Sequence, residues 1–458
     1  MKILCRTGVA MTLVTFAAAP VPAVASGAEQ EPSPPGFQEA DTLRLAALHV
    51  LAVEEDARTR RVELERRAAD LRMENLTVGQ LPQFQLRGDA AYQSEVITLP
   101  FEGPDLSPSS PSKERYELAL EADWKVWDGG IASARRDVER AGLSSTLATL
   151  DAEVFQIRAE VTDAFFSALL LQEQVREVDL LIEDLESRLL EVRVRVEQGA
   201  ALPGDMASMR AELLGAAQHR DRLVHERRTA LRVLARIVGR PIAADAVLTL
   251  PQLSEQMAAH VAAGAADPRS QLPAEARLHP QFAAFDAQRA TRERQAAAVE
   301  ARRRPSISLF GQLAYGSPGF DQFNDSLHEY WRAGVRVQWA PWSWNRHERE
   351  IEELSLQRRI VDTHEERFSD VLLRALEQPL GTIAHMRAAL DSDDEIVALR
   401  EEAETYARAQ LEERAIPVST YTRARTDLQD ARIARLLHGI ELARAQARYL
   451  ITLGVELR

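Results

Sequence analysis

Residues 150–196 read LDAEVFQIRAEVTDAFFSALLLQEQVREVDLLIEDLESRLLEVRVRV, and this stretch decides the fold. Its apolar positions recur in alternating steps of four and three residues. An ideal α-helix has about 3.6 residues per turn, so such a seam stays on one face only if the helix supercoils around its neighbours. A generic dimeric coiled coil would show the same seam, so the flanking sequence has to decide the architecture. The seam positions are Leu150, Val154, Ile157, Val161, Ala164, Ala168, Leu171, Val175, Val178, Ile182, Leu185, Leu189, Val192 and Val196.

The composition favours long helices in an exported protein. The chain has 458 residues, is 28% charged and only 6% aromatic, and carries a net charge of −14. Few aromatic residues fit extended helices better than a compact mixed core, and the absence of a basic cluster argues against a nucleic-acid partner. Residues 1–25 combine a positive start, an apolar run and the small-residue motif Ala23-Val24-Ala25, which predicts a secretory signal peptide. The only cysteine, Cys5, lies in that segment, so we expect no disulfide in the exported chain.

The rest of the chain divides into alternating helical and strand-like segments. The predicted segments are an N-terminal segment with a helix from Leu43 to about Leu76 (26–80), a first strand pair (81–127), a first helical hairpin (128–240), a short irregular region (241–272), a helix (273–304), a second strand pair (305–342), and a second helical hairpin with the C-terminus (343–458). Pro379 lies inside the second long hairpin and is expected to bend its helix.

The period of the apolar residues changes from 3.5 to 2 in the two strand pairs. Apolar residues alternate with charged or amide residues over 84–92 and 116–126, and again over 305–315 and 331–339. A strand of about ten residues with one apolar and one polar face suits a tilted crossing of a bilayer, although a soluble antiparallel sheet alternates in the same way. All six tryptophans lie within or just beyond these pairs, as in the aromatic girdles of membrane proteins. The predicted membrane-interface aromatics are Trp124, Trp127, Trp331, Trp339 and Trp342.

The second half of the chain repeats the first. Five residues of the first strand recur in register after 223 residues, and three later landmarks recur after 215 residues. The matches are Pro82, Leu86, Gly88, Ala91 and Tyr92 with Pro305, Leu309, Gly311, Ala314 and Tyr315, and Trp124, Trp127 and Gly239 with Trp339, Trp342 and Gly454. The order helix, strand, strand, helix, helix therefore occurs twice, which indicates an internal duplication.

This order resembles the TolC family of outer-membrane channels. The resemblance covers about Leu43 to Gly454 and rests on the duplicated strand–strand–hairpin order, the Leu81-Pro82 strand entry and the Trp127-Asp128-Gly129-Gly130 exit into the first hairpin. It implies a mainly α-helical fold in which three subunits share one twelve-stranded membrane β-barrel, continued by a periplasmic α-helical barrel. The implied location is the cell outer membrane, with a long periplasmic extension.

The resemblance also implies a function and partners. A homotrimer in outer-membrane lipid would act as the exit duct of a tripartite efflux pump or a type I secretion system. A periplasmic adaptor and an inner-membrane pump would be its partners. The hairpin turns then become candidate adaptor contacts, and they comprise Gly199, Pro203, Gly204, Pro417 and Ser419. Asp205 is the candidate periplasmic constriction, where three copies would form an acidic ring; alternatively, it only caps the outgoing helix.

No combination of residues indicates catalysis. His347-Glu348 and His364-Glu365 are not followed by a second histidine at zinc-binding spacing, and there is no phosphate loop or nucleophile elbow. We therefore expect no enzymatic activity, no cofactor and no metal site. The alternative function is a periplasmic adaptor or a structural coiled-coil protein of the envelope. Adaptors usually carry one hairpin beside a glycine-rich β-sandwich, whereas this sequence predicts two hairpins and two strand pairs.

Overall fold

The computed structural model describes residues 42–96, 112–263, 273–321, 324, 326–413 and 415–457, so the predicted signal peptide lies outside the described residues. The fold is mainly α-helical. Its strands are β1 (Thr42–Leu43), β2 (Gln83–Tyr92), β3 (Glu114–Trp127), β4 (Val247–Leu248), β5 (Ser306–Ser317) and β6 (His328–Gln338). Its α-helices are α1 (Leu45–Glu55), α2 (Ala57–Val78), α3 (Ile131–Phe155), α4 (Ile157–Glu197), α5 (Pro203–Val238), α6 (Ser254–Ala263), α7 (Pro280–Ala301), α8 (Arg346–Glu412) and α9 (Val418–Thr452), with a 3₁₀ turn at Ala274–Leu278.

Two long helical hairpins dominate the molecule. Helix α4 packs against α5, and α8 packs against α9. Every residue of the predicted seam is buried or half-buried, which confirms the 3.5-residue pattern. Val178, Leu185 and Val192, spaced seven residues apart, are each no more than 6% exposed. Helix α8 continues through Pro379, whose side chain is buried.

The helix that the seam predicts through residues 150–196 is interrupted at one residue. Helix α3 ends at Phe155 and α4 begins at Ile157, with Gln156 between them at φ −63° and ψ −24°. Phe155 and Ile157 are both buried. The Phe155 ring packs edge-on against the His279 ring, with the two ring centroids 5.3 Å apart. The helix therefore buries more than one face at this point. The 3.5-residue seam describes a single buried face and does not predict the second one.

The predicted helix from Leu43 to Leu76 is wrong at its start and in its middle. Leu43 lies in β1, which pairs in parallel with β4 and places Leu43 opposite Leu248. Asp56 is extended and separates α1 from α2, while its carboxylate accepts the backbone N–H of Arg58 at 2.7 Å. An aspartate at this position caps a new helix because it satisfies a donor in the first turn.

The duplication is visible in the backbone as well as in the sequence. Gly239 and Gly454, which end the return helices of the two hairpins, both have positive φ (77° and 89°). A Cβ at Gly239 would lie 2.8 Å from the Glu55 side chain, and one at Gly454 would lie 2.6 Å from the His279 backbone. Both helices therefore end where only glycine permits the turn and the close approach.

A second pair of matching positions could not be found from residue identity. Gly129 and Gly130 precede α3 with φ of 72° and 88°, and Trp344 and Asn345, 215 residues later, precede α8 with φ of 52° and 58°. Left-handed backbone is unfavourable for a residue with a side chain. The second repeat therefore keeps the conformation although it has lost the glycines.

Four strands form one antiparallel sheet in the order β2-β3-β5-β6. Each strand adjoins a long helix, and these helices pack in the corresponding order α2-α3-α7-α8. Strands β2 and β6 form the two edges of the sheet. Within the described ranges, none of the helices is both long and apolar enough to cross a membrane.

One buried histidine, His49, and one half-buried histidine, His279, lie where the hairpins meet the shorter helices. His49 Nε2 lies 2.9 Å from Thr162 Oγ1, and Thr162 donates its hydroxyl hydrogen to the Arg158 carbonyl at 2.7 Å. The imidazole must therefore donate from Nε2. Burial, with a smaller effect of the Arg158 charge, lowers the pKa of His49 to about 4. Burial also lowers the pKa of His279 to about 4, and its Nδ1 accepts the Gln281 N–H at 3.2 Å.

We expect these histidines to make the protein acid-sensitive. Both pKa values are lower in the folded chain than the ordinary value of 6.5, so the unfolded chain binds more protons between pH 6.5 and 4. The stability that each neutral ring contributes is complete above pH 6.5 and is lost towards pH 4, at about 1.4 kcal/mol per pH unit. In urea unfolding of the detergent-solubilised protein, His49→Gln should lower the slope of stability against pH between pH 6.5 and 4 by about 1.4 kcal/mol per pH unit, because only the His49 contribution is lost. His225→Gln, at an exposed position, is the control, and an unchanged slope in His49→Gln would contradict the assignment.

Candidate functional site

The first candidate surface is the four-stranded sheet, whose register brings most of the large apolar strand residues to one face. Phe84 lies opposite Ala122, Leu118 opposite Tyr315, and Leu309 opposite Val335. Most of these side chains are exposed in the single chain; Trp331, for example, is 73% exposed. The apolar face comprises Phe84, Leu86, Gly88, Ala90, Tyr92, Tyr116, Leu118, Leu120, Ala122, Trp124, Trp127, Ile307, Leu309, Gly311, Leu313, Tyr315, Trp331, Ala333, Val335 and Val337.

The opposite face is polar and cross-linked by charged side chains. Glu117 is its central residue, because it accepts from Arg87 at 3.3 Å, from Arg115 at 3.1 Å and from Tyr330 at 2.7 Å. Nearer the helices, Arg336 pairs with Asp123 at 3.4 Å and lies 4.8 Å from the Phe310 ring centroid. A face of this kind suits water, whereas the other face suits lipid.

The five predicted interface tryptophans lie at the sheet or directly beyond it. Trp124 donates its indole N–H to the Gln80 carbonyl at 3.0 Å, and Trp339 donates to the Arg303 carbonyl at 3.1 Å. These two matching bonds in the two repeats tie each strand pair to the end of the preceding helix. Trp331 lies on the apolar face, and Trp342 is exposed beyond β6.

Trp127 reaches the apolar face only because the strand is irregular. Strict alternation from Trp124 would place it on the polar face. A bulge between Lys125 and Trp127 shifts the register, so that Trp127 lies opposite Ile307. A β-bulge adds one residue to a strand and so moves the side chains that follow it to the opposite face of the sheet. Trp124 and Trp127 therefore share a face.

The second candidate surface is the tip of the first hairpin, between α4 and α5. Gly199 has φ 71° and ends α4, and the Ala200 N–H reaches the Arg195 carbonyl at 2.7 Å. Pro203 and Gly204 form the first turn of α5 and are exposed. Asp205 is half-buried, and its Oδ2 accepts the Leu202 N–H at 3.1 Å. This bond makes Asp205 a helix cap. Because Asp205 also lies at the hairpin tip, the acidic ring remains a prediction to be tested by substitution.

The tip of the second hairpin holds Pro417 directly before α9, with Ser419 exposed in its first turn. Close to this tip, Glu404 is 4% exposed and accepts the Tyr421 hydroxyl at 2.7 Å and Arg408 at 2.8 Å. The Tyr421 hydrogen bond and the Arg408 charge lower the pKa of Glu404, although burial opposes them. Glu404 therefore stays ionised in the interior of the hairpin.

The two hairpins are joined by polar groups as well as by the shared apolar core. Asp163 on α4 accepts from Arg444 and Arg448 on α9, each at 3.0 Å. Nearer the hairpin tips, the Gln429 side chain on α9 donates to the Glu177 carboxylate on α4 at 2.8 Å. Within the first hairpin, an apolar cluster of Leu185, Val192 and Met209 also joins the two helices near the tip. Salt is expected to weaken the exposed ion pairs of the contact between hairpins and to leave its apolar part intact.

Sequence reasoning missed Glu117 and Glu404 as central residues. Both occupy positions where alternation or helical periodicity predicts an ordinary solvated carboxylate, and only the tertiary structure surrounds them with partners. Across the described segments, no group of three or more His, Cys, Asp or Glu side chains is arranged to hold a metal ion.

Comparison with known proteins agrees with this architecture. A family model described as outer membrane efflux protein matches residues 49–240. The structure of CusC superposes with a TM-score of 0.65 at 14% identity, covering 92% of this chain and 97% of CusC. The open state of the Neisseria gonorrhoeae MtrE outer membrane channel gives 0.62 at 17% identity, covering 91% and 90% of the two chains. The Campylobacter jejuni CmeC outer membrane channel gives 0.60 at 14% identity, covering 90% and 85%. No curated protein sequence matches the chain.

These similarities bear directly on the two functions that the sequence left open. The matched family and the similar structures are channel proteins rather than adaptors or enzymes. The fold agreement extends over both hairpins and the strand pairs, since it covers at least 90% of the chain in each case. The chain is therefore similar to the outer membrane efflux protein family over residues 49–240, and over nearly its whole length it has the fold of the TolC-family outer membrane channels.

Proposed function

We propose that three copies of this chain form a passive exit duct across the outer membrane. The sheet carries the proposal: it has one apolar face, one polar face and two open edges. Backbone groups at an open edge cannot remain unpaired in lipid. Pairing β6 of one copy with β2 of the next removes every edge when the ring closes, and three copies of four strands give twelve. The polar face then lines a water-filled lumen.

The helices next to the sheet support the same arrangement. The outer helices of the row, α2 and α8, carry exposed apolar residues where a neighbouring copy would pack. On α2 these are Leu64, Leu71 and Val78, each seven residues after the last, and on α8 they include Leu356 and Ile360. A spacing of seven is typical of a helix that supercoils with a partner.

The partners belong to the proposal as well. The hairpin tips would point away from the membrane into the periplasm and meet an adaptor, which would couple the duct to an inner-membrane pump of an efflux or type I secretion system. Gly199, Pro203, Gly204, Pro417 and Ser419 are the proposed contact residues. The five tryptophans would mark the lipid–water boundary, where indole groups are favoured.

Reconstitution tests the duct itself. We expect the detergent-extracted protein to sediment as a trimer and to give discrete, salt-dependent conductance steps in planar bilayers. Deleting the gene should lower cargo export without changing the level of the pump. A monomer that does not conduct after reconstitution would contradict the proposed function.

Asp205→Asn tests the proposed acidic ring. Asparagine caps a helix about as well as aspartate, so the bond to the Leu202 N–H is retained while the charge is lost. We expect lower cation selectivity and weaker block by multivalent cations in planar bilayers, with unchanged trimer stability. If selectivity and block match the wild type, Asp205 is a cap alone.

A further inference from the structure

The chain just beyond β5 folds back over the polar face of the sheet. The Phe320 ring packs edge-on against Tyr330, with centroids 4.7 Å apart. A Cβ built on Gly319 would lie 2.6 Å from His328 Nε2 and 2.8 Å from Tyr330 Cδ1, so the backbone here touches the strand side chains. His328 and Tyr330 lie on the polar face of β6, opposite Gly316 and Ala314.

The surface beneath Phe320 is braced by all four strands. Tyr330 on β6 donates to Glu117 on β3 at 2.7 Å, and Gln312 on β5 donates to the same carboxylate at 3.4 Å. Arg87 on β2 and Arg115 on β3 balance its charge. The Glu117 side chain is only 6% exposed. Phe320 therefore rests on a cross-linked platform.

Phe320 and Arg332 remain available to a solute. Phe320 is 56% exposed, and the Arg332 guanidinium carbon lies 6.0 Å from its ring centroid. Arg332 is exposed and has no ion pair within the part of the chain that the structure describes. The aromatic ring can stack on a planar ring of a solute. The guanidinium beside it can attract a negative charge on the same solute.

We propose that Phe320 and Arg332 form a collar at the outer end of the lumen, which favours planar aromatic solutes that carry negative charge. This inference rests on the proposed function, because the polar face must line the duct. Three copies would then narrow the mouth and present three rings, each with a cation beside it. The collar lies at the opposite end of the duct from Asp205.

Single-cysteine variants separate the collar from the duct. Cys5, the only native cysteine, lies in the predicted signal peptide, so Phe320→Cys and Gln338→Cys each give one target for a charged methanethiosulfonate reagent. Gln338 lies at the other end of the same face of β6, opposite Ser306. We expect modification at either position to change the single-channel conductance. A response at Gln338→Cys alone would overturn the collar and leave the duct intact, whereas no response at either would overturn both.

Current block tests the proposed solute class. Naphthalene-1-sulfonate should block the wild-type channel more strongly than methanesulfonate does. We expect Phe320→Leu, which keeps an apolar side chain, to weaken naphthalenesulfonate block about three- to tenfold and to leave methanesulfonate block unchanged. Arg332→Gln should weaken block by both sulfonates and lower the anion-to-cation permeability ratio. Equal block of wild type and Phe320→Leu by the aromatic probe would overturn the assignment.

Discussion

Leu118→Arg is expected to remove most of the assembled trimer from the outer membrane. Leu118 lies on the apolar face of the sheet, between Gly88 and Tyr315 on the neighbouring strands. If this face contacts lipid, an arginine there costs about 2–4 kcal/mol per subunit near the bilayer midplane, and each trimer carries the substitution three times. Val335→Arg, on β6, should behave alike. The measurement is the amount of heat-sensitive trimer in outer-membrane fractions on a native gel.

The matched control introduces the same residue, arginine, on the other face of the sheet. Gln85→Arg lies opposite Glu121 on the polar face, so the new charge would meet water and a carboxylate. We expect its trimer level to remain close to that of the wild type. Equal loss of trimer in Gln85→Arg and Leu118→Arg would contradict the assignment of the apolar face to lipid.

The second large effect is expected from Val178→Pro in the middle of the first long hairpin. Val178 is 6% exposed and belongs to the apolar seam of α4. Proline removes a backbone hydrogen bond and collides with the preceding turn, which costs about 3 kcal/mol or more. Export should survive, because the predicted signal peptide is unchanged, while trimer yield and efflux-dependent resistance should fall. Native gels and growth assays measure the two effects.

Val178→Ala separates the backbone effect from the loss of the side chain. It removes two methyl groups from the seam but keeps the helix, so we expect clearly more trimer than in Val178→Pro. An unchanged trimer yield in the proline variant would show that this part of the seam does not contribute to assembly. The native Pro379 is a useful comparison, because α8 accommodates a buried proline without ending.

Much of the architecture was predictable because it depends on local periodicity. The 3.5-residue seam of 150–196 and the alternation in the strand pairs each arise from neighbours a few residues apart, and the structure keeps both. The duplication was visible because matched residues such as Gly239 and Gly454 meet the same backbone demand. Turn residues such as Gly199 and Pro203 act through their own φ angles, so their positions also follow from the sequence.

What the sequence could not reveal depends on contacts between distant segments. Leu43 becomes a strand residue because β4, about 200 positions later, lies beside it, and Phe155, beside the irregular Gln156, packs against His279 from a distant helix start. The bulge that turns Trp127 to the apolar face depends on its pairing with Ile307. Glu117 gains its partners only when four strands align. Periodicity therefore determined which face of each element is apolar, whereas the tertiary structure decided which elements meet and which polar groups acquire partners, because those choices rest on the packing of segments far apart in the chain.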